Sequence, residues 1–300
     1  MGTPALADVV VLVNPAGARG SGTRIGATVE RLLREADVAV RRVASTDGGD
    51  AQRLAHEAVA ARPDALVVVG GDGMVHSAAQ ALAGTDVRLG VVPAGTGNDV
   101  ARMLGIARRD PSAAVEVLLG GHSRSLDLID VAGTQVVTVV ATGFDSLVNE
   151  RANAMTWPGG QLRYPLATLA ELRTFSPLPY TFRLDEADHR VDAMVVAVGN
   201  GPSYGGGLRI CEGAEPDDGL LDVVIVHPLH RRQLVWLYPR LFTGTHLSHP
   251  AVERHRVRTA SVAVRGTPLT AYGDGERLSA LPLTARVAPG ALQVLVPAGP

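Results

Sequence analysis

The 300-residue sequence contains no lysine: all 28 of its basic residues are arginine. Without lysine there is no GxxxxGK[ST] phosphate loop, no kinase-type lysine and no Schiff-base chemistry, so any use of a nucleoside triphosphate must rest on another architecture. Cysteine is almost as scarce. The single Cys211 can form neither an internal disulfide nor a cysteine-rich metal framework, which leaves burial as the source of stability. Dense basic runs are missing too, and 28 basic against 30 acidic residues give a formal net charge of −2. No nucleic-acid partner is expected, since such binding needs clustered positive charge against phosphates. The longest apolar runs, VVVLV after Asp8 and ALVVV before Gly70, fall far short of the ~20 residues a membrane-spanning helix needs. The N-terminus shows no charged n-region or h-region, and the expectation is a cytoplasmic protein with no transmembrane segment.

What is present is a hydrophobic fraction of 46% and a charged fraction of 19%, enough chain for two modest domains. From Asp8 to about residue 121, short apolar runs alternate with amphipathic stretches: VVVLV, TRIGATVERLLREA, VAVRRVA, DAQRLAHEAVAA, ALVVV, VHSAAQALAG, RLGVV and NDVARMLG. Strand and helix in turn imply βαβ crossovers and a parallel sheet covered on both faces. From residue 123 the texture changes to short, mostly alternating segments separated by Gly, Pro, Asp and Asn, such as SRSLDLIDV, TQVVTVVATG, YTFRLDE and RVRTASVAVRG. That pattern predicts an antiparallel sandwich or barrel. The expected fold is thus an α/β domain over residues 1–122 and an all-β domain over 123–300, with about 10 final residues free to return to the first domain. Two helices are expected within the second part, at LRYPLATLAELRTF and RRQLVWLYPRLF. For the second, core packing is preferred over a membrane-touching face built on Trp236, Tyr238 and Phe242.

Ligands of open parallel sheets bind beyond the carboxyl ends of the strands. Three loops there have unusual content: NPAGARGSG at 14–22, GGDGM at 70–74 and PAGTGND at 93–99. Glycine lets the backbone approach a ligand closely, and the following helix offers free N–H groups and a positive dipole end to phosphate. One such cluster is commonly a tight turn; three at successive strand ends favour a polyphosphate site. Asp72 is out of place in a loop made for anions unless a cation accompanies it, and Mg2+ held by one or two carboxylates together with phosphates meets that need. AYGDGE brings Asp274 and Glu276 together around a glycine, where one can act as general base beside the other, although Asp-Gly alone is also an ordinary hairpin turn. PDDGLLD, with Asp217 and Asp218, reads as a turn that could seat a structural cation. The pairs His227 with His230 and His246 with His249 lie near prolines in expected loops, and metal binding there is not expected.

VNPAGARGSG, VVVGGDGMVH, VPAGTGNDVARMLG, ATGFDSLVNERAN, GNGPSYGGGLRICEGAEPDDGLLDVVIV and YGDGE occur in the order seen in the diacylglycerol kinase catalytic family. The chain resembles a bacterial soluble lipid kinase of that family, related to sphingosine and ceramide kinases and more distantly to NAD kinases and phosphofructokinases. The resemblance implies an NAD kinase-like nucleotide domain and a β-sandwich that helps form a lipid-accepting cleft. It implies transfer of the γ-phosphoryl group of Mg-ATP to a lipid hydroxyl, diacylglycerol first, at a membrane surface to which the protein attaches peripherally. By similarity, the nucleotide contacts are Asn14, Pro15, Thr46, Gly70, Gly71, Asp72, Gly73, Met74, His76, Gly95, Thr96, Asn98 and Glu276. Asp72 and Asp99 belong to a water-mediated Mg2+ network, and Asp274 or Glu276 is the base. A structural Mg2+ maps onto Asp218 and the backbone of Glu215 and Leu220. Arg19, Arg102 and Arg209 are candidate charge partners in place of lysine, and a homodimer is left open. Two departures stand out: Met74 replaces the threonine of GGDGT, and Ser77 replaces a common glutamate. Two alternatives remain beside the lipid kinase, a kinase of a soluble hydroxyl compound and a nucleotide-binding regulatory module with weak or no turnover.

Overall fold

The computed structural model describes residues 6–108, 110–155, 166–167, 170–171, 176–266 and 268–298. Most of the helix expected at LRYPLATLAELRTF lies outside these residues, as does the Arg19 side chain.

The valine-rich runs become the central strands of a parallel sheet. In order of sequence the first part reads β1 (Asp8–Val13), α1 (Gly17–Gly20), α2 (Gly22–Glu35), β2 (Ala39–Ala44), α3 (Gly48–Ala60), β3 (Ala65–Gly70), α4 (Asp72–Leu82), β4 (Arg88–Pro93), α5 (Asp99–Met103) and α6 (Pro111–Gly120). The strands lie side by side as β2-β1-β3-β4, all parallel. β3 and β4 are buried along their whole length, as expected when helices cover both faces of a sheet. All three glycine loops therefore leave the sheet at one edge.

The second part contributes β5 (Ser123–Val131), β6 (Thr134–Val136), β7 (Val139–Gly143), α7 (Phe144–Ala154), β8 (Leu178–Leu184), β9 (Ala187–Ala193), β10 (Val195–Gly199) and β11 (Leu221–Val226). These are followed by β12 (Val252–Val257), β13 (Thr259–Val264), β14 (Thr270–Gly273), β15 (Glu276–Ala280) and β16 (Leu283–Leu295). Strands β12-β11-β10-β7-β14-β15 form an antiparallel sheet. Facing it are β13, β8, β9, β5 and β6, grouped around β16, and the two layers enclose a core that includes Val140, Phe182, Val196, Val223 and Ala260.

Two features depart from the sequence expectation. TQVVTVVATG, read as one segment, divides into β6 and β7, which belong to different sheets. β7, β10 and β11 are buried on both faces. In β10, Val196 and Val198 enter the sandwich core, while Val195 and Ala197 pack outward beneath α7 and the loops around Ile210. The parallel sheet continues past β4 into the C-terminal strand: Val294 of β16 pairs parallel with Leu89, and the same 13-residue strand runs antiparallel to β5 and β13. One ten-stranded sheet thus runs through both halves of the molecule.

Candidate active site

Side-chain-free backbone brings the second and third glycine loops together. A Cβ built on Gly95 would lie 2.5 Å from the Gly71 Cα, so these loops pack backbone to backbone. Asn98 closes the third loop on itself: its Oδ1 accepts the Gly95 N–H at 2.9 Å and its Nδ2 donates to the Gly95 carbonyl at 2.9 Å. Asn98 does this from a left-handed backbone, φ 55°, a conformation asparagine tolerates better than most residues. In the first loop, Asn14 Oδ1 accepts the Ala16 N–H at 3.0 Å and Pro15 follows directly. Thr46, exposed after β2, is tied to the first turn of α3 by its N–H bond to Asp50 Oδ2 at 2.9 Å. Thr96 is exposed at the tip of the third loop.

Asp72 opens α4, and one oxygen of its carboxylate caps the start of α5. Its Oδ1 accepts the N–H groups of Asp99 at 2.7 Å and Val100 at 3.2 Å. The other oxygen lies against Gly97. A Cβ on Gly97 would come within 2.7 Å of Asp72 Oδ2 and 3.5 Å of Asp99 Oδ2, so both carboxylates stand close against that glycine. Asp99 is buried and held by Arg102 at 2.8 Å, the Ser203 hydroxyl at 3.2 Å and the Gly206 N–H at 2.6 Å. Burial, then the charge of Asp99, pushes the Asp72 carboxyl above the usual carboxylate range, against the two backbone hydrogen bonds; Asp274 adds to the rise. Two carboxylates sharing a low-dielectric space with one arginine form a site short of positive charge.

Beside α4, the two acids of YGDGE have different surroundings. Asp274 is in the left-handed region, φ 52°, and its side chain is only 1% exposed. Its Oδ1 accepts the Thr138 N–H at 2.8 Å and the Thr138 hydroxyl at 2.7 Å; its Oδ2 accepts the Val137 N–H at 2.9 Å and meets His76 Nδ1 at 3.0 Å. Glu276 is exposed and lies over the first turn of α4, where a Cβ on Gly73 would be 2.9 Å from its Oε1. Burial of His76 disfavours the imidazolium, but the hydrogen bond and charge of Asp274, with Glu276 beyond, outweigh it and raise the His76 pKa.

Met74 does not point into the site. Its side chain is buried with the parallel-sheet core, lies under Gly70 and receives the Ser45 hydroxyl at 3.7 Å. Ser77 bonds back to the Gly73 carbonyl at 3.0 Å within α4. Both departures from the family pattern thus have packing roles.

The DDG turn lies elsewhere, and arginine meets each of its acids. Arg124 grips Asp217 through two bonds of 2.6 Å, Arg256 pairs with Asp218, and Arg254 holds Asp222 at 2.5 Å. Asp218 Oδ1 also accepts the Leu220 N–H at 2.9 Å, so a cation at Asp218, Leu220 and the exposed Glu215 would compete with Arg256. Arg209 pairs with Glu212 at 2.5 Å, away from the carboxylates of the cleft. His227 bonds Glu253 at 2.9 Å, and His246 is buried against the Ile210 carbonyl at 2.9 Å.

Several residues that complete the site were not singled out from sequence: Thr138, Ser203, Gly206 and the Gln80–Gln135 pair that joins α4 to β6 at 2.7 and 2.9 Å. Asp127 belongs with them, since it accepts the N–H groups of Gly219 and Gly290 at 2.7 Å each and so ties the DDG turn to β16. Only the glycine run of GNGPSYGGG, with positive φ at Gly205, Gly206 and Gly207, marked this region in the sequence.

Residues 8–131 match the model of the diacylglycerol kinase catalytic domain, and residues 138–296 match that of the YegS C-terminal NAD kinase beta sandwich-like domain. A protein of Mycobacterium tuberculosis named diacylglycerol kinase is 40% identical over 298 residues, which is 97% of this chain and 96% of that protein. A protein of Pseudomonas aeruginosa named "Probable lipid kinase YegS-like" is 34% identical over 257 residues, 84% of this chain and 83% of that one. Among solved structures, a diacylglycerol kinase of Bacillus anthracis superposes with a TM-score of 0.75 at 18% identity, covering 98% of each chain, and so shares the fold.

Proposed function

The chain belongs to the diacylglycerol kinase catalytic-domain family and is a phosphotransferase with an alcohol acceptor, and from this premise we propose that it moves the γ-phosphoryl group of Mg-ATP to a lipid hydroxyl, diacylglycerol first. The observation that carries the reading is the surplus of carboxylates around the start of α4: Asp72, Asp99, Asp274 and Glu276 against Arg102 and His76. The neighbouring carboxylates of Asp72 and Asp99 at Gly97 are the donor type that a hydrated divalent cation prefers. Asp72 and Asp99 would hold Mg2+ through water, and the ion would supply charge neutralisation for phosphate oxygens.

The chain's own groups account for the rest. The free N–H groups at the first turn of α4 and the bare backbone of Gly70, Gly71 and Gly95 take the phosphates in place of a lysine loop. Asp274 has all its acceptor directions used, and we assign it to positioning: it fixes His76, whose raised pKa favours a cation facing phosphate. Glu276 is exposed beside Gly73, which suits it to accept the proton of the incoming hydroxyl. Catalysis then consists of positioning and charge stabilisation, the usual contribution of a protein to phosphoryl transfer. The packing of Met74 and Ser77 removes the main sequence ground for a module without turnover.

The test is incubation with labelled ATP and Mg2+ against diacylglycerol, sphingosine, ceramide and phosphatidylglycerol in micelles, with soluble NAD alongside. Labelled phosphatidic acid is the expected product, formed roughly 10²–10³-fold more slowly with Glu276→Gln. Label in NAD alone would move the acceptor to the soluble class, and full activity of Glu276→Gln would refute the assigned base.

A further inference from the structure

Between β11 and β12 the chain leaves the sandwich for a segment the site does not use. Helix Arg231–Leu237 runs directly into the 3-10 turn Tyr238–Phe242. Its inner side is ordinary core. Leu234 and Leu237 pack with Phe144, Val148 and Val226, and Leu241 packs with Ile210 and Cys211. The outer side is apolar as well: Val235 is 57% exposed, Trp236 56%, Tyr238 38% and Phe242 49%. A helix apolar on both sides calls for a second cover, since soluble proteins seldom leave such side chains grouped in water. The exposed rings are also ordered among themselves. Tyr238 and Phe242 meet edge to face at 5.8 Å, and the Arg240 guanidinium lies 3.6 Å from the Trp236 ring centroid.

Charge narrows the choice of cover. Between His227 and Val252 the sequence carries Arg231, Arg232 and Arg240 and no aspartate or glutamate, although the whole chain has a slight acidic excess. A second copy docking through the same patch would set these arginines against their own equivalents. Anionic headgroups would neutralise them, and tryptophan and tyrosine sit well at the boundary between headgroups and acyl chains. The patch also adjoins the site. The Leu241 carbonyl accepts the Arg209 N–H at 2.7 Å, and the loop leading to Arg209 includes Gly206, which binds Asp99.

We propose that residues 231–242 form the surface by which the protein docks on an anionic bilayer, with Trp236 and Phe242 entering the headgroup layer and the three arginines meeting lipid phosphates. The proposal rests on the lipid-acceptor reading and adds where the membrane lies. Full-length protein is sedimented with vesicles of phosphatidylcholine alone, or of phosphatidylcholine with phosphatidylserine, without acceptor lipid or ATP. Wild type is expected to bind the anionic vesicles and largely ignore the neutral ones. The pair Trp236→Ser with Phe242→Ser weakens binding on the order of tenfold or more. Arg231→Ser with Arg232→Ser weakens it by roughly tenfold, on anionic vesicles only. Both double variants keep the wild-type melting temperature and phosphorylate monodisperse short-chain diacylglycerol at the wild-type rate. The surface is overturned by equal binding in the variants, by a wild type that binds neither vesicle, or by a dimer in sedimentation that the variants dissociate. Anionic-vesicle binding through these residues by a protein that phosphorylates no lipid would keep the surface and remove the acceptor reading instead.

Discussion

Two groups of acids in this molecule face opposite electrostatic circumstances. At the DDG turn, Asp217, Asp218 and Asp222 each meet one arginine: Arg124, Arg256 and Arg254. At the glycine loops, Asp72, Asp99, Asp274 and Glu276 share Arg102 and His76. The contrast is sharpest between Asp217 and Asp72, while burial raises the carboxyl of Asp222 despite its arginine. The Arg124 hydrogen bond holds the Asp217 carboxyl below the usual range, whereas burial and neighbouring carboxylates push that of Asp72 above it. Paired acids are what a fold needs for itself; unpaired ones close together are costly and persist where a ligand supplies the missing charge.

If that contrast is functional, substitutions in the two groups should separate activity from stability. The largest effects are expected at the glycine loops. Glu276→Gln and Asp72→Asn should each lower turnover roughly 10²–10³-fold. Asp72→Asn should keep or raise the melting temperature, because it removes a buried charge while its oxygen still caps α5. Asp217→Asn at the partly exposed turn pair should leave turnover alone and cost at most about 1 kcal/mol in a denaturant titration. Loss of turnover in the Asp217 variant comparable to that in the Asp72 variant would erase the distinction.

Asp274→Asn tests the contrast within one hairpin. Removing a charge that accepts four hydrogen bonds should cost about 2 kcal/mol of stability, measured by denaturant unfolding, where Glu276→Gln costs almost none. A cation titration sharpens the picture further. Mg2+ should raise the melting temperature of wild type through the Asp72–Asp99 space, an effect Asp72→Asn removes. Arg256→Gln should strengthen Mg2+ uptake at Asp218 by removing its competitor.

The smallest expected effect is on pH dependence. His76 has a folded pKa raised above its ordinary 6.5, so the stability it gains with Asp274 is full below that value. That stability is lost as the pH rises through the raised folded pKa. Thermal melts of His76→Gln across this window should therefore be flatter than those of wild type.

The glycine loops were legible because each follows a run of buried β-branched residues, a local pattern that also dictates where the loop must emerge. The roles of Asp274 and Glu276 were not separable in YGDGE, because what distinguishes them arrives from far along the chain: Val137, Thr138 and His76. Met74 drew attention as a missing hydroxyl, whereas its side chain turns beneath Gly70, a direction that backbone geometry sets. The burial of β10 on both faces was not legible for a similar reason, since VVAVG is covered outside by residues remote in sequence. Helix α6 had its own signal, with Asp110 capping it, Pro111 first and Gly121 left-handed after it, and could have been found from capping alone.

β16 carries a consequence for how the molecule comes into being. The edge of β4 has no lasting cover until Val294, some 200 residues later, takes its place beside Leu89. During synthesis the nucleotide half must wait on the ribosome with that edge open, and the sandwich has to be made before the first sheet is finished. The two halves are distinct in architecture, yet in assembly they mature as one.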